Sequence, residues 1–344
     1  MRKIIVVGSG VIGLSCAMYL AHEGHHVQVI TRNPEEATSW VAGGMLAPFS
    51  EGLEGELFDF SYKSLKQYPE FIRLVKEVSG QRVDFWEGGI YRVVLKEEEE
   101  LLEIAKRYKD MGYELEVLEK GDWLSEEVLC LIDYMEEGWV DAEMLMDGLL
   151  FAMNRLGVEI RIDEIVNMEK NKDEITLLKG LKGNYTADFY LFALGAWTGE
   201  LFDLPVYPIK GQALKLKGER LPRVHYSSIS YLIPRDSYLY VGATSEDVGF
   251  LSGNTLEGIK RLSEGAIRVC PSLSKAKVFG MLYGYRPATP DEKPIFEVGQ
   301  NYMVATGHYR NGILHAPITA RIALEYLKGE RPYFIDLFSH RRFS

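Results

Sequence analysis

Cysteine is scarce in this chain. Its 344 residues include only Cys16, Cys130 and Cys270, an odd number set far apart. No zinc-type spacing and no disulfide framework can be built from them, which fits a reducing, cytoplasmic setting. Basic residues are in deficit: 39 Lys and Arg face 50 Asp and Glu, a formal charge of −11. Such a chain repels a phosphate backbone, so nucleic acid is excluded as its main partner. Internal repeats and low-complexity linkers are absent, and long apolar runs nearly so. The one candidate, eighteen uncharged residues from Ile4 to Ala21 behind Arg2 and Lys3, is diluted by Gly8, Ser9, Gly10 and Gly13. Its two halves also follow different periods. Ile4–Val7 is the β-branched run of a buried parallel strand, whereas Val11–His22 carries Leu14, Met18 and Ala21 on one helical side. The segment reads as strand, glycine turn and helix rather than as a secretory leader or membrane span, and no membrane partner is expected.

What is present suffices for a large core. Hydrophobic residues make up 47% of the chain and aromatics 12%, which excludes wholesale disorder. A strand over 3–7, a helix over 11–23 and a strand over 27–30 open the chain as a βαβ unit. Helices are expected over 56–79, and Ile90–Leu95 reads as a strand. The charge run Glu97–Glu100 opens a helix to about 111 as a solvated first turn. A helix over 141–156 precedes strands near 158–162, 164–169 and 174–179. Asp188–Leu194 is a second apolar strand running into a glycine turn. Residues 206–250 alternate in strand fashion and predict a meander. A helix near 255–269, strands near 277–285 and 302–305, and a last helix over about 312–328 stopped by Gly329 follow. Parallel units at both ends and antiparallel strands between them predict interleaved domains.

Gly8-Ser9-Gly10-Val11-Ile12-Gly13 matches G-x-G-x-x-G directly after a strand. Gly8 permits the tight turn, Gly10 removes the side chain that would block a pyrophosphate, and Gly13 lets helix and strand pack closely. The helix N-terminus then faces the phosphates. The acid usual for the ribose is missing, since the second strand ends in Thr31-Arg32. An arginine there can hold a 2′-phosphate, so the glycine pattern leaves NADP and FAD both open.

Five further segments decide between them. They are Ala37-Thr38-Ser39-Trp40-Val41-Ala42-Gly43-Gly44-Met45-Leu46-Ala47-Pro48, Ala193-Leu194-Gly195-Ala196-Trp197-Thr198, Tyr231-Leu232-Ile233-Pro234-Arg235 leading to Val241-Gly242-Ala243-Thr244, Gly284-Tyr285-Arg286-Pro287-Ala288-Thr289-Pro290-Asp291, and Gly307-His308-Tyr309-Arg310-Asn311-Gly312-Ile313-Leu314. In this order, from residue 3 to about 328, the chain closely resembles the D-amino-acid oxidase family of FAD-dependent oxidoreductases. It is most similar to the glycine oxidase branch, which is tied to thiamine biosynthesis.

The resemblance implies an α/β fold. A doubly wound, Rossmann-like FAD-binding domain would take residues 1–80, 140–200 and 280–344, and an interleaved antiparallel α+β substrate domain 81–139 and 201–279. It places Val11 and Ile12 at the pyrophosphate, Thr31 and Arg32 at the adenosine ribose, and Ile165 at the adenine. Thr38, Ser39, Gly43, Gly44 and Met45 would line phosphate and flavin, and His308, Tyr309, Arg310, Asn311, Gly312, Ile313 and Leu314 would wrap the isoalloxazine. Asn311 and Gly312 are expected to begin a helix whose positive end favours the reduced flavin. His308 is assigned to the flavin pocket, not to base catalysis, and Cys270 is not a covalent flavin link. Arg286 offers a planar fork to the substrate carboxylate, with Tyr231 assisting and Arg310 nearby. Tyr231, Ile229 and Met45 are expected to narrow the pocket. The implied reaction is oxidation of glycine or another small amine to the 2-oxo acid, with O2 reduced to H2O2. A D-amino-acid or sarcosine-type oxidase, or a dehydrogenase, is the alternative. A homo-oligomer, a tetramer by resemblance, is implied as well.

Overall fold

The computed structural model describes residues 1–218 and 221–343. Two sheets organise the chain. The first has six strands in the order Ile295–Val298, Tyr302–Thr306, Phe189–Phe192, Lys3–Val7, His26–Thr31 and Glu159–Ile162. All neighbours are parallel except the pair Ile295–Val298 and Tyr302–Thr306. Its central strands are apolar on both faces because both are covered. Alternate residues Ile4 and Val6 point into a core of helices, with Leu14 and Met18 of Val11–His22, Leu145 and Leu149 of Ala142–Arg155, and Ile318 and Ile322 of Ala316–Leu327. The long helix Gly55–Ser79 packs outside these through Phe60, Tyr68 and Phe71. Ile5 and Val7 point the other way, onto Ile175 and Leu178 of a three-stranded antiparallel sheet, Ile165–Asn171, Glu174–Gly180 and Asn184–Tyr185. The second face of the parallel sheet is thus covered by strands rather than by helices.

The second sheet has eight strands in the order Lys277–Ala288, Tyr207–Lys217, Leu239–Gly242, Tyr231–Pro234, His225–Tyr226, Ile90–Leu95, Val128–Tyr134 and Leu115–Glu119. It is antiparallel apart from the pairing of His225–Tyr226 with Ile90–Leu95. The amphipathic helix Leu256–Val269 closes one face, with Leu262, Ala266 and Val269 packed on Leu214, Leu232 and Val241. Lys277–Ala288 pairs along its whole length with Tyr207–Lys217, so the domain boundary expected at 279/280 falls inside a strand of this sheet. Among the described residues no helix is long and apolar enough to cross a membrane.

The last helix begins later than expected. Regular helix runs over Ala316–Leu327, after a short 3-10 turn at Tyr309–Asn311. Pro317 explains the shift. It has no N–H to give the Ile313 carbonyl and suits only the first turn of a helix. Tyr68 Oη donates to that carbonyl instead (2.7 Å), and Ser64 Oγ to the Leu314 carbonyl (2.6 Å).

Candidate active site

The main cavity, about 280 Å3, opens where the C-terminal ends of the parallel strands meet the second sheet; a separate one beside Leu216 and Tyr238 is about 60 Å3. Every candidate named from the sequence lines it except Gly13, Leu314 and Ile229. Gly13 acts from behind: a Cβ on it would stand 2.1 Å from the Gly8 carbonyl oxygen, so its bareness seats the helix on the turn. Leu314 is fully buried in the helical core, which corrects its expected place beside the flavin. Its carbonyl belongs to Ser64 and its side chain to the packing. Ile229 packs against the helix Leu256–Val269 cluster and does not line the cavity, whereas Met45 and Tyr231 do.

At the nucleotide end, Gly8 has φ 113° and a Cβ there would lie 2.3 Å from the Ala193 carbonyl oxygen. Two strand-end turns can touch only because this residue is glycine. Gly10 heads the helix without a side-chain cap, and no acid stands in the first turn. Val11 N–H donates to Ser39 Oγ (3.0 Å), and Ser9 and Thr31 share a hydroxyl bond (2.8 Å). Arg32 is paired with Glu36 (3.4 Å) and stacks over Trp197 (5.1 Å). Its charge is therefore already answered, which weakens the 2′-phosphate reading. From Ile165 and Trp197 the cavity continues past Thr38 and Ser39 to Gly43, Gly44 and Met45. Gly44 has φ 72° and would place a Cβ 2.0 Å from the Val140 carbonyl oxygen. A helix N-terminus with no acid in its first turn, a glycine-floored turn and a long cleft between them fit FAD.

The 308–313 segment closes the cavity from the side. His308 turns its ring away, with Nε2 3.1 Å from Thr319 Oγ1, and burial pushes its pKa down to about 3. His315 behind it faces Ser61 (2.7 Å) and is held well below its ordinary value by burial and by His308. Both rings are neutral at physiological pH. The dipole of the last helix does not begin at Asn311–Gly312, since Ile313, Leu314 and His315 separate it from them.

At the far end three tyrosines stack in parallel. Tyr226 and Tyr231 have centroids 5.9 Å apart, and Tyr231 and Tyr240 6.3 Å. Tyr240 Oη donates to the Val41 carbonyl (2.9 Å) and so ties the stack to the loop after the second strand. Arg286 is registered opposite Ile209, and its side chain runs diagonally along the sheet over Gly211, where a Cβ would meet the guanidinium at 2.6 Å. One of its Nη groups donates to the Thr244 carbonyl (3.0 Å). Burial raises the Tyr231 pKa, and Arg286 beside it opposes the rise. Arg310 lies 3.9 Å from Glu51. Burial works against its charge, but Glu51 and Tyr309 raise its pKa on balance.

Three contributors escaped the sequence reading. Glu51 lines the cavity beside Arg310. Glu137, fully buried, accepts from Phe49 N–H (2.6 Å), Ser50 N–H (2.8 Å) and the Ser50 hydroxyl, and so fixes the turn that carries Glu51. Arg235, also buried, donates to the Gly43 carbonyl, faces Asp141 (3.4 Å) and stacks on Trp139 (4.4 Å). It straps the second sheet to the glycine-floored turn. Its position inside the Tyr231–Arg235 segment was the one available signal.

Burial pushes the Glu137 carboxyl from 4.5 up to about 8, against its three donors and with Glu51 adding to the rise. A raised folded-state pKa means that the folded protein holds the proton more tightly, so this stabilisation is full below pH 4.5 and fades as pH rises to 8. Between pH 5 and 8 the protein should lose on the order of 4 kcal/mol relative to a Glu137→Gln variant, at about 1.4 kcal/mol per pH unit. Thermal midpoints of both proteins at the two pH values check this; a constant difference would refute it.

Comparison with known proteins defines the class. The family model described as FAD dependent oxidoreductase matches residues 3–326, and the chain belongs to that family. It is an FAD-dependent oxidoreductase. It is 35% identical over 359 residues to the bifunctional protein ThiO/ThiG of Trichormus variabilis, covering 100% of this chain and 55% of that protein. The chain thus spans about half the length of that relative. It is 27% identical to the glycine oxidase of Pseudomonas aeruginosa, covering 96% of each. The crystal structure of glycine oxidase from Geobacillus kaustophilus superposes with a TM-score of 0.90 at 25% identity, covering 98% of each chain.

Proposed function

We propose that the protein oxidises glycine, or another small amine, to the 2-oxo acid while O2 becomes H2O2, and that the reaction feeds thiazole assembly in thiamine synthesis. The observation that carries this reading is Arg286 laid flat against Gly211 beside Tyr231, at the inner end of a nucleotide cleft. Relatives named glycine oxidase, matched over nearly their whole length, support it.

FAD supplies the two-electron acceptor. Thr31, Arg32 and Ile165 would hold its adenosine, Gly8, Gly10, Val11, Ile12, Thr38 and Ser39 its diphosphate, and Gly43, Gly44, Met45 and the 308–313 turn its ring system. Arg286 presents two parallel N–H groups to a carboxylate, a match a lysine could not make. Tyr231 supplies a hydroxyl at the same spot, and its stack with Tyr226 and Tyr240 keeps the ring from rotating. Held this way, the α-carbon is positioned for transfer rather than chemically activated. His308 takes no part in proton transfer, because its ring is neutral and bonded to Thr319. Met45, Tyr231 and Tyr240 crowd the cavity, which favours a substrate without a bulky side chain. The balance is glycine, O2 and H2O giving glyoxylate, NH3 and H2O2. A cytoplasmic location and a homo-oligomeric state belong to the same proposal; the three free thiols support the first.

The test is peroxide release from glycine, sarcosine, D-alanine, D-proline and D-phenylalanine under one set of conditions. The highest kcat/KM should fall to glycine or sarcosine. A clear preference for D-phenylalanine would overturn the size argument, and dye reduction without peroxide would replace the oxidase by a dehydrogenase.

A further inference from the structure

The cleft holds a carboxylate that substrate anchoring by Arg286 does not use. Glu51 shares the cavity with Arg286, Tyr231 and Arg310. Its side chain is 11% exposed, so its charge is costly unless something faces it. Within the protein the facing cation is Arg310, whose nearest nitrogen is 3.9 Å away. That distance gives Coulomb attraction but not a hydrogen bond, which needs about 3 Å. The carboxylate therefore keeps acceptor capacity on its cavity side.

Glu51 is also held rigidly. Its own N–H donates to the Ala47 carbonyl (3.0 Å), and the next two N–H groups close on Phe49 and Pro48. Glu137 clamps the same turn from inside through Phe49 and Ser50. A side chain on a pinned turn, aimed into a functional cavity, is preorganised to receive a ligand. The charges point to which kind. Arg286 and Arg310 give two positive groups against one negative, and Arg310 already answers Glu51 across 3.9 Å. An amino acid brings one carboxylate and one ammonium on neighbouring atoms. With its carboxylate on Arg286 and its ammonium on Glu51, each end of the amino acid meets a group of opposite sign, and Glu51 stands between two cations.

We propose that Glu51 receives the amino group of the substrate and takes one proton from it, so that Arg286 and Glu51 together read the two ends of an amino acid. This rests on the amino-acid oxidase reading above. The proton step balances as R–NH3+ and Glu51–COO− giving R–NH2 and Glu51–COOH. The nitrogen lone pair is thereby freed before the α-hydrogen leaves with its electron pair. Burial raises the Glu51 pKa, which suits a proton acceptor, while Arg310, the Tyr226 hydroxyl, Arg286 and Arg92 pull it back. Glu137 and Tyr231 complete the set of titratable groups that feel this carboxylate. The cavity then discriminates by the nitrogen as well as by the carboxylate. Amines that can present an N–H toward Glu51 are accepted, and carboxylates without one lose half of the recognition.

The experiment compares the FAD-loaded protein with Glu51→Gln and Glu51→Asp. Glycine turnover is followed from pH 6 to 10, and glycolate, the same carboxylate without the amine, is titrated through its effect on the flavin absorption spectrum. Glu51→Gln should raise the KM for glycine at least tenfold and move the acid limb of kcat/KM toward the pKa of the free amine. Glycolate affinity should change less than threefold, and Glu51→Asp should recover part of the loss. An unchanged pH profile and KM in Glu51→Gln would overturn the proposal. Equal losses for glycine and glycolate would overturn it too, since Glu51 would then serve only to place Arg310. Absence of amine oxidation in the unmodified protein would instead count against the amino-acid oxidase reading itself.

Discussion

Removing the guanidinium of Arg286 should cost the enzyme at least tenfold in apparent affinity for glycine while FAD content stays normal. Two parallel charge-assisted hydrogen bonds to a carboxylate are lost in Arg286→Ala, each worth about 1.5–3 kcal/mol. Part of that is offset when water enters the space, so tenfold is the lower bound and a thousandfold is within reach. The fold should tolerate the change. The side chain lies over Gly211 at the cavity wall, and its protein contact is one bond to the Thr244 carbonyl. Arg286→Lys should recover little, since a point charge cannot reproduce the fork. Steady-state kinetics with glycine, beside the visible spectrum of each variant, decide the matter. Unchanged KM and kcat would exclude Arg286 as the anchor.

The second large effect separates two glycines of one turn. In Gly10→Leu the backbone is undisturbed, because φ is −72° and a Cβ meets nothing nearer than Ser39 Oγ at 3.5 Å. The rest of the side chain must then occupy the cleft at the helix N-terminus. The variant should fold, purify colourless and bind FAD at least a hundredfold more weakly. Gly8→Ala should fail differently. A Cβ there needs φ 113° and meets a backbone oxygen at 2.3 Å, so the two turns must separate. Such strain costs several kcal/mol, and soluble yield should drop with or without added FAD. FAD titration and apo-protein melting distinguish the two failures. Normal FAD affinity in Gly10→Leu would mean that the diphosphate does not lie at this helix.

The glycine turn was legible because its chemistry is local: the period switches from strand to helix across six residues. Tyr231 and Arg286 were legible as strand-end motifs that resemble a known family. The late start of the last helix is legible in Pro317, which suits a first turn, rather than in Asn311–Gly312. Glu51, Glu137 and Arg235 are a different case. Glu137 acts on Phe49 and Ser50 across 88 and 87 positions, and Arg235 on Gly43 across 192. A glutamate between serine and glycine reads locally as a surface charge, and only the closing of distant strands buries it. The strands Leu115–Glu119 and Val128–Tyr134 carry acidic residues among their apolar ones and take their meaning from the sheet they join.

The strand orders show the chain passing between the two sheets four times, with first-sheet strands drawn from residues 3–31, 159–192 and 295–306. Lys3–Val7 pairs with Phe189–Phe192, which are synthesised some 185 residues later. The first sheet therefore cannot be completed until every strand of the second has been made, and neither half is a single stretch of chain that could be excised. Closing such distant pairs is slow, because loop entropy is lost before the contacts that repay it have formed. Newborn chains accordingly spend time with apolar strand edges uncovered, and a ligand that spans both sheets would draw the equilibrium toward the finished molecule by mass action. Bound flavin should therefore add to the stability of the finished molecule as well as supply its redox chemistry.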